Sequence, residues 1–318
     1  MNRLTECLGI QHPIIQGGMG NISNARLAAA VSEAGALGTI GTGTMDVEEV
    51  GGIVRDLKML TNRPFAMNIP ITMTPDLKGM IEIAITEEVP VVSLSAGNPA
   101  PLIPVLHDHG IKVICVVASR KQARKAADAG ADVLVAEGYE AAGINSHLET
   151  TTLALIPQLV DEVAVPVVAA GGIADGRGLA AMLALGASGV QMGTRFIATK
   201  EAPFHERYKE TLLAANDHGT LIVGRSVGRV RRVLRSPYAE KVLDLEKQGM
   251  TLEQYAELTS EDNHRKGALE GKLDEGFING GQVAGLIADV PTVKEVVDGM
   301  MTDASTVLRA LSDTMKVE

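Results

Sequence analysis

Residues 165–195 read VPVVAAGGIADGRGLAAMLALGASGVQMGTR, and their pattern decides the fold. Val165–Ala169 is a short apolar run that ends in small residues, Ala170-Gly171-Gly172. Gly176–Leu185 follows with amphipathic helical spacing, and Gly186 closes it, because glycine accepts the left-handed backbone after a helix without a Cβ penalty. Ser188–Met192 is a second apolar run, and it also stops at a glycine, Gly193. Strand, helix and strand in close succession, with both strands apolar throughout, are the pattern of parallel strands buried on two faces.

The same unit recurs upstream. Apolar runs at His12–Ile15, Leu37–Ile40, Phe65–Ile69, Val89–Leu94, Ile111–Val117 and Ala131–Ala136 bring the number of predicted strands to eight. Amphipathic stretches such as Asn24–Ala34 and Lys121–Ala129 separate them, and Gly35 and Gly130 end two of these helices as Gly186 does. Eight such units in about 200 residues predict an α/β fold, a (β/α)8 TIM barrel; a doubly wound open sheet usually needs fewer strands. After Lys200 the alternation stops. Glu206–Ala215, Ala239–Lys247 and Leu252–Leu258 read as helices, Gly276–Leu286 as a glycine-rich turn into Val283–Ile287, and Val293–Leu311 as a closing helix pair. The expected division is a barrel over 1–202 and 279–318, with a helical lid over 203–278 inserted after the eighth strand.

Composition narrows the function. The chain has 318 residues, 46% hydrophobic and 21% charged, ordinary globular values and long enough to bury a core without staples. Cys7 and Cys115 lack CxxC spacing; they read as small core hydrophobes and point to a reducing, cytoplasmic setting. The N-terminal MNRLTECLGIQHPIIQGG has no apolar leader core, and no stretch approaches the roughly 20 apolar residues of a membrane span. A net charge of −10 argues against nucleic acid as a partner. The local exception is Arg225, Arg229, Arg231, Arg232 and Arg235, which reads as a solvated helix face, with a site for an anionic cofactor or substrate as the sharper alternative. There is no GxSxG elbow, HExxH pair, phosphate loop of the GxxxxGK[ST] type or metal-ligand spacing of histidines; His107 and His109 flank Asp108 at an exposed helix end.

In such a barrel the active site forms at the C-terminal strand ends. Those ends are unusually rich in glycine: Gln16-Gly17-Gly18-Met19-Gly20, Gly41-Thr42-Gly43, Ser95-Ala96-Gly97, Glu137-Gly138, Gly171-Gly172 and Gly193-Thr194. Glycine there lets backbone approach a flat ligand, and the last two loops are the usual phosphate site of these barrels. Glu137 is the one good candidate at a strand end for the catalytic acid that a non-redox phosphosugar enzyme requires.

Segments HPIIQGGM (12–19), RPFAMNI (63–69), SAGNP (95–99), AEGYEAAG (136–143), VPVVAAGGIADGRG (165–178), VQMGTRFIATKE (190–201) and GGQVAGL (280–286) resemble, in order, the family of nitronate monooxygenases and flavin-dependent enoyl-ACP reductases, once called 2-nitropropane dioxygenases. The resemblance implies an FMN-containing barrel with a helical lid. It implies that Gly17, Gly18 and Met19 line the isoalloxazine and that Asn68 hydrogen-bonds the ring. It also implies that Gly171, Gly172, Gln191, Gly193 and Thr194 hold the ribityl phosphate, with Glu137 and Gly138 beside the cofactor and Gly138 and Gly143 bordering the substrate space. One departure stands out: the family carries a catalytic histidine directly after the Ala-Gly or Gly-Gly pair, and here that position is Ile144. Asn145, Ser146 and His147 are the remaining candidates in that loop, the first two as hydrogen-bond donors to a nitro or carbonyl oxygen. Arg195 is expected to face a phosphate or to pair with an acid at the barrel rim.

Removing a proton from a neutral nitroalkane needs a positioned base, whereas a nitronate has already lost it. The expected function is therefore FMN-dependent oxidation of alkyl nitronates with O2 to a carbonyl compound and nitrite. The alternative is NADH- or NADPH-dependent reduction of quinones or enoyl thioesters, with the nicotinamide as a transient electron donor. A non-redox phosphate-binding barrel enzyme and a flavin-binding module without turnover complete the set. The expected partners are a small-molecule substrate and O2, with a homo-oligomer left open.

Overall fold

The computed structural model describes residues 2–315. Its frame is β1 (Ile14–Gln16), β2 (Gly38–Gly41), β3 (Phe65–Pro70), β4 (Val91–Ser95), β5 (Lys112–Val117), β6 (Val133–Glu137), β7 (Gly143–Ile144), β8 (Val167–Ala170), β9 (Gly189–Met192), β10 (Thr220–Val223) and β11 (Arg231–Leu234). The helices are α1 (Arg3–Leu8), α2 (Ala25–Glu33), α3 (Val47–Leu60), α4 (Leu77–Thr86), α5 (Ile103–His107), α6 (Arg120–Asp128), α7 (Thr152–Val160), α8 (Gly176–Ala184), α9 (Thr194–Ile197), α10 (Glu206–Leu213), α11 (Pro237–Lys247), α12 (Leu252–Leu258), α13 (Glu261–Ala268) and α14 (Val293–Thr314). No helix among the described residues is long and apolar enough to cross a membrane.

All eight predicted strands are present and parallel, in the order β1-β9-β8-β6-β5-β4-β3-β2. A bridge between Ile15 and Leu37 joins β1 to the start of β2 and closes the ring as a (β/α)8 barrel. Gly35, Gly130 and Gly186, which end helices before strands, have φ of +85°, +101° and +93°, the left-handed conformation expected of them. Ile15, Ala66, Val91, Ile114, Val133, Val135, Val168 and Ala170 fill the barrel, and Leu4 and Leu8 of α1 pack with them as a plug. Asn2 holds α1 in place: its side chain caps the helix and its amide donates to the Ser188 carbonyl at 2.9 Å. At Gly189 an added Cβ would stand 2.5 Å from Leu4 Cδ2, so the glycine makes room for the plug. Leu4→Ala is expected to lower stability by about 3 kcal/mol, because it removes a fully buried side chain from the barrel plug; a urea midpoint equal to wild type would show that the plug contributes nothing.

Cys115 is buried in the layer between strands and helices, and burial pushes its thiol up to about 12. His107 is on the surface, where Nε2 meets Asp132 at 2.8 Å. The closing helix pair is instead one helix, α14. Gly299 does not break it, because Val293, Val296, Val297, Met300 and Ala304 form one uninterrupted buried stripe.

Residues 203–278 are also not wholly helical. β10 and β11 form an antiparallel hairpin, and β11 pairs in turn with β7, which lies in the loop after β6. This small sheet has its own core, including Leu221, Val223, Val233, Tyr238, Val242, Tyr255 and Phe277. The expected arginine-rich helix face is thus a turn and a strand. Arg225 is exposed and pairs with Glu149 at 2.7 Å. Arg235 reaches the His218 carbonyl at 3.0 Å and also Glu240. Arg231 and Arg232 are buried. A four-residue strand carrying two arginines has no apolar alternation to reveal it; pairing with β10 and β7 decides its conformation.

Candidate active site

The first and third strands meet at Gly18 and Asn68. A Cβ on Gly18 would stand 2.7 Å from Asn68 Cβ and 2.8 Å from Oδ1, so the loop passes directly over the amide. Asn68 Nδ2 donates to the Ser93 carbonyl at 3.2 Å and lies 3.3 Å from Ser95 Oγ, which leaves Oδ1 as the free acceptor. Gly17 packs on the Gln191 side chain, with 3.5 Å from an added Cβ to Nε2. The Ser23 hydroxyl receives the Gly41 N–H at 2.8 Å and the Met19 N–H at 3.3 Å, and so holds the β1 loop against β2.

On the opposite rim, Gly171 and Gly172 follow β8 with φ of +92° and +80°. Any Cβ on Gly171 would sit 2.9 Å from both the Gly138 carbonyl and the Ala141 nitrogen. Gly138 in turn leaves space for Thr152, whose hydroxyl would be 2.1 Å from a Cβ there. Thr152 donates its N–H to Glu140 Oε2 at 2.9 Å and its hydroxyl to the Gly171 carbonyl at 2.9 Å, which locks the loops after β6 and β8 together. Gly193 heads α9 and faces open space, with nothing within 4 Å of an added Cβ. Thr194 Oγ1 accepts from Gly281 N–H at 3.0 Å, and Gln282 N–H donates to the Glu140 carbonyl at 3.0 Å. The GGQVAGL segment therefore borders the same pocket. Glu140, Thr152 and Gly281 escaped the sequence reading, because their work is on backbone and on one another.

Glu137, last residue of β6, has no hydrogen-bond or ion-pair partner among the described residues, and burial pushes its carboxyl up to about 7. Its folded value exceeds its ordinary 4.5, so the neutral acid favours the folded state. That contribution is complete below pH 4.5 and is lost as the pH rises through about 7. At pH 8 the ionised group costs about 3 kcal/mol. Glu137→Gln is expected to raise the melting temperature of the flavin-free protein at pH 8 and leave it nearly unchanged at pH 4.5. An equal effect at both pH values would contradict this.

In the loop after β6 no acid or base stands at position 144, and the side chains of Asn145 and Ser146 are tied to the loop's own backbone. Asn145 uses its amide on the Ala141 and Gly143 carbonyls, both at 3.0 Å, and its N–H on the Val230 carbonyl at 2.8 Å. Ser146 Oγ accepts from Leu148 N–H at 3.2 Å, and His147 is exposed. Ile144 is half exposed and lies directly across the β7–β11 ladder from Arg231. Arg195 belongs to the rim: it meets Asp289 Oδ1 and the Asp289 carbonyl at 2.9 Å and the Ala198 carbonyl at 2.7 Å.

A second polar cluster, unread in the sequence, covers this loop. His264 of α13 stacks on Phe277 with ring centroids 5.1 Å apart, and Arg231 lies 4.9 Å from the centroid of the same ring. His264 Nε2 is 3.1 Å from Asn279 Nδ2, and Nδ1 is 3.5 Å from Glu261. Its one signal in the sequence was the run of arginines.

Glycines open toward the mouth, a fixed amide acceptor at Asn68, the Gln191 side chain and a glycine-lined pocket after β8 and β9 fit a flavin with its phosphate. The nitronate monooxygenase family model matches residues 1–303. The chain belongs to the nitronate monooxygenase family. It is 34% identical to a 5-hydroxy-7a-methyl-1-oxo-octahydro-1H-indene-4-carboxyl-CoA dehydrogenase of Mycobacterium tuberculosis, over 97% of each chain. A probable nitronate monooxygenase of Staphylococcus saprophyticus is 32% identical, over 76% of this chain and 80% of its own. Among solved structures, FabK from Thermotoga maritima superposes with a TM-score of 0.94 at 40% identity, over 99% of both chains. Nitroalkane oxidase from Streptomyces ansochromogenes gives 0.85 at 26%, over 97% of this chain and 99% of that one. This member of the nitronate monooxygenase family is accordingly a flavin-dependent oxidoreductase.

Proposed function

We propose that the enzyme binds FMN and oxidises alkyl nitronates with O2 to a carbonyl compound and nitrite. The observation that carries this reading is the loop after β6: Ile144 stands at the family's histidine position, and its neighbours Asn145 and Ser146 are engaged by the loop itself. A substrate that arrives already deprotonated needs no base there. Gly17, Gly18 and Met19 would line the flavin ring system, and Asn68 would hydrogen-bond it. Gly171, Gly172, Gln191, Gly193 and Thr194 would hold the ribityl phosphate, with Glu137 beside the cofactor. The bound flavin supplies the two-electron chemistry; the protein orients the substrate and shields the reaction from water.

One observation favours a second reading, NADH- or NADPH-dependent reduction of an enoyl thioester or quinone: the likeness to FabK spans 99% of both chains. Anaerobic mixing separates the two. Bleaching of the flavin by propyl nitronate or propionate 3-nitronate, and not by NADH or NADPH, supports nitronate oxidation. Bleaching by a nicotinamide alone transfers the assignment to the reductase, and no reaction with either nitronate sinks the first reading.

A further inference from the structure

The cluster above Ile144 contains a buried guanidinium that, among the described residues, forms no hydrogen-bonded ion pair. Arg231 is 5% exposed, its Nε is buried with no hydrogen-bond partner, and among the described residues no carboxylate or carbonyl accepts from its guanidinium. The guanidinium lies against the face of Phe277, and a cation–π contact does not replace the hydration that a buried guanidinium gives up. Glu261 is the nearby acid, but it is directed elsewhere: it faces His264 at 3.5 Å, accepts from the Asn21 backbone and lies beside Gly20. Burial works to raise the Glu261 carboxyl, and these hydrogen bonds with the charges of His264 and Arg231 outweigh it and hold it low. A second buried polar atom without a partner is close by. Asn279 Oδ1 makes no hydrogen bond and stands 3.9 Å from where a Gly143 Cβ would be. Arg231 and Ile144 are register partners in the β7–β11 ladder, so their side chains project from the same face of the small sheet. The unpaired cation therefore belongs to the space bordered by Gly143, Ile144 and the Gly20–Asn21 turn after β1.

We propose that Arg231 is the anchor for the anionic group of the substrate, a planar two-oxygen anion of the nitronate or carboxylate class, with Asn279 completing the site. The planar guanidinium fork matches two oxygens of one group. The identity of the anion rests on the nitronate reading; the existence of the anion site does not. The enzyme thus holds an already charged substrate with a cation placed across from the position where its relatives carry a histidine.

The test uses the flavin-loaded protein and two variants, Arg231→Met and Arg231→Lys. Nitrate, a planar oxyanion that cannot reduce a flavin, is titrated while the melting temperature is followed. Wild type is expected to show a saturable rise, Arg231→Lys a weakened one and Arg231→Met none. Without nitrate, Arg231→Met is expected to melt no lower than wild type, since it removes an unpaired buried charge; a purely structural arginine would instead leave a destabilised protein. With propyl nitronate, the concentration giving half-maximal flavin reduction is expected to rise about 30-fold in Arg231→Met, the loss of a charge-assisted hydrogen-bonded pair. The limiting rate should change far less. Nitrate protection that is absent from wild type, or equal in all three proteins, overturns the anchor. Protection lost in Arg231→Met while neither nitronate bleaches wild type keeps the anion site and discards nitronate as its substrate. Should Arg231→Met fail to fold, the nitrate shift of Arg231→Lys decides alone, an undiminished response counting against the proposal.

Discussion

Gly171→Ala is expected to cost about 2–4 kcal/mol of stability and to lower flavin retention by at least about 100-fold. Two independent effects act at this position. A φ of +92° is a conformation that an alanine adopts only with strain. The added Cβ also stands 2.9 Å from two backbone atoms, the Gly138 carbonyl and the Ala141 nitrogen, neither of which can rotate away. Relief requires the loops after β6 and β8 to separate, yet Thr152 and Glu140 tie them together. The displacement therefore reaches the glycine pocket proposed for the phosphate. The measurement is the flavin-to-protein ratio after gel filtration, alongside a urea midpoint. Gly193→Ala is the control: its φ of −114° is ordinary and its Cβ meets nothing within 4 Å, so stability should stay within about 0.5 kcal/mol of wild type. Flavin loss in Gly193→Ala with unchanged stability would place the ligand against that position. Full retention in Gly171→Ala would remove the phosphate from the β8 loop.

Arg232→Met is expected to lower stability by about 2–4 kcal/mol and to loosen the β10–β11 hairpin from the barrel. Arg232 is buried and makes four contacts at once: Nη2 and Nε to the Tyr139 carbonyl at 3.0 and 3.2 Å, Nη1 to Thr220 Oγ1 at 3.1 Å, and its guanidinium 4.6 Å from the Tyr139 ring centroid. Methionine fills much of the volume but leaves the carbonyl and the hydroxyl without that donor, which is the costly half of losing a hydrogen bond. Tyr139 directly follows Gly138, so the same contacts connect the small sheet to the strand end beside the proposed cofactor. Limited proteolysis should cut Arg232→Met within residues 220–235 at protease levels that leave wild type intact. Arg229→Met, at an exposed position, should match wild type within about 0.5 kcal/mol. Equal resistance in both variants would mean that the hairpin docks through its apolar contacts alone.

The barrel was legible because its determinants are local. Short apolar runs, amphipathic helices between them and a glycine after several of those helices (Gly35, Gly130 and Gly186) recur along the chain, and every run became a strand of the ring. The strand ends were legible for the same reason: each is fixed by the strand before it, so glycine at the end of β1, β8 and β9 could be placed at the barrel mouth in advance. The expected closing helix pair is one helix, α14, because a single buried stripe from Val293 to Ala304 continues through Gly299.

What the sequence by itself determined was the (β/α)8 frame and the glycine-lined mouth, since both follow from residue type and short-range order. Only the tertiary structure decided what stands over that mouth. β11 is a strand because β10 and β7, 76 or more residues apart in sequence from one another, pair on either side of it. Burial of Arg231 and Arg232 follows from that pairing, as does the meeting of Arg231 with Phe277 and of His264 with Asn279. A charged side chain reads as solvent-facing until its neighbours are known, because the cost of burying it depends entirely on what surrounds it.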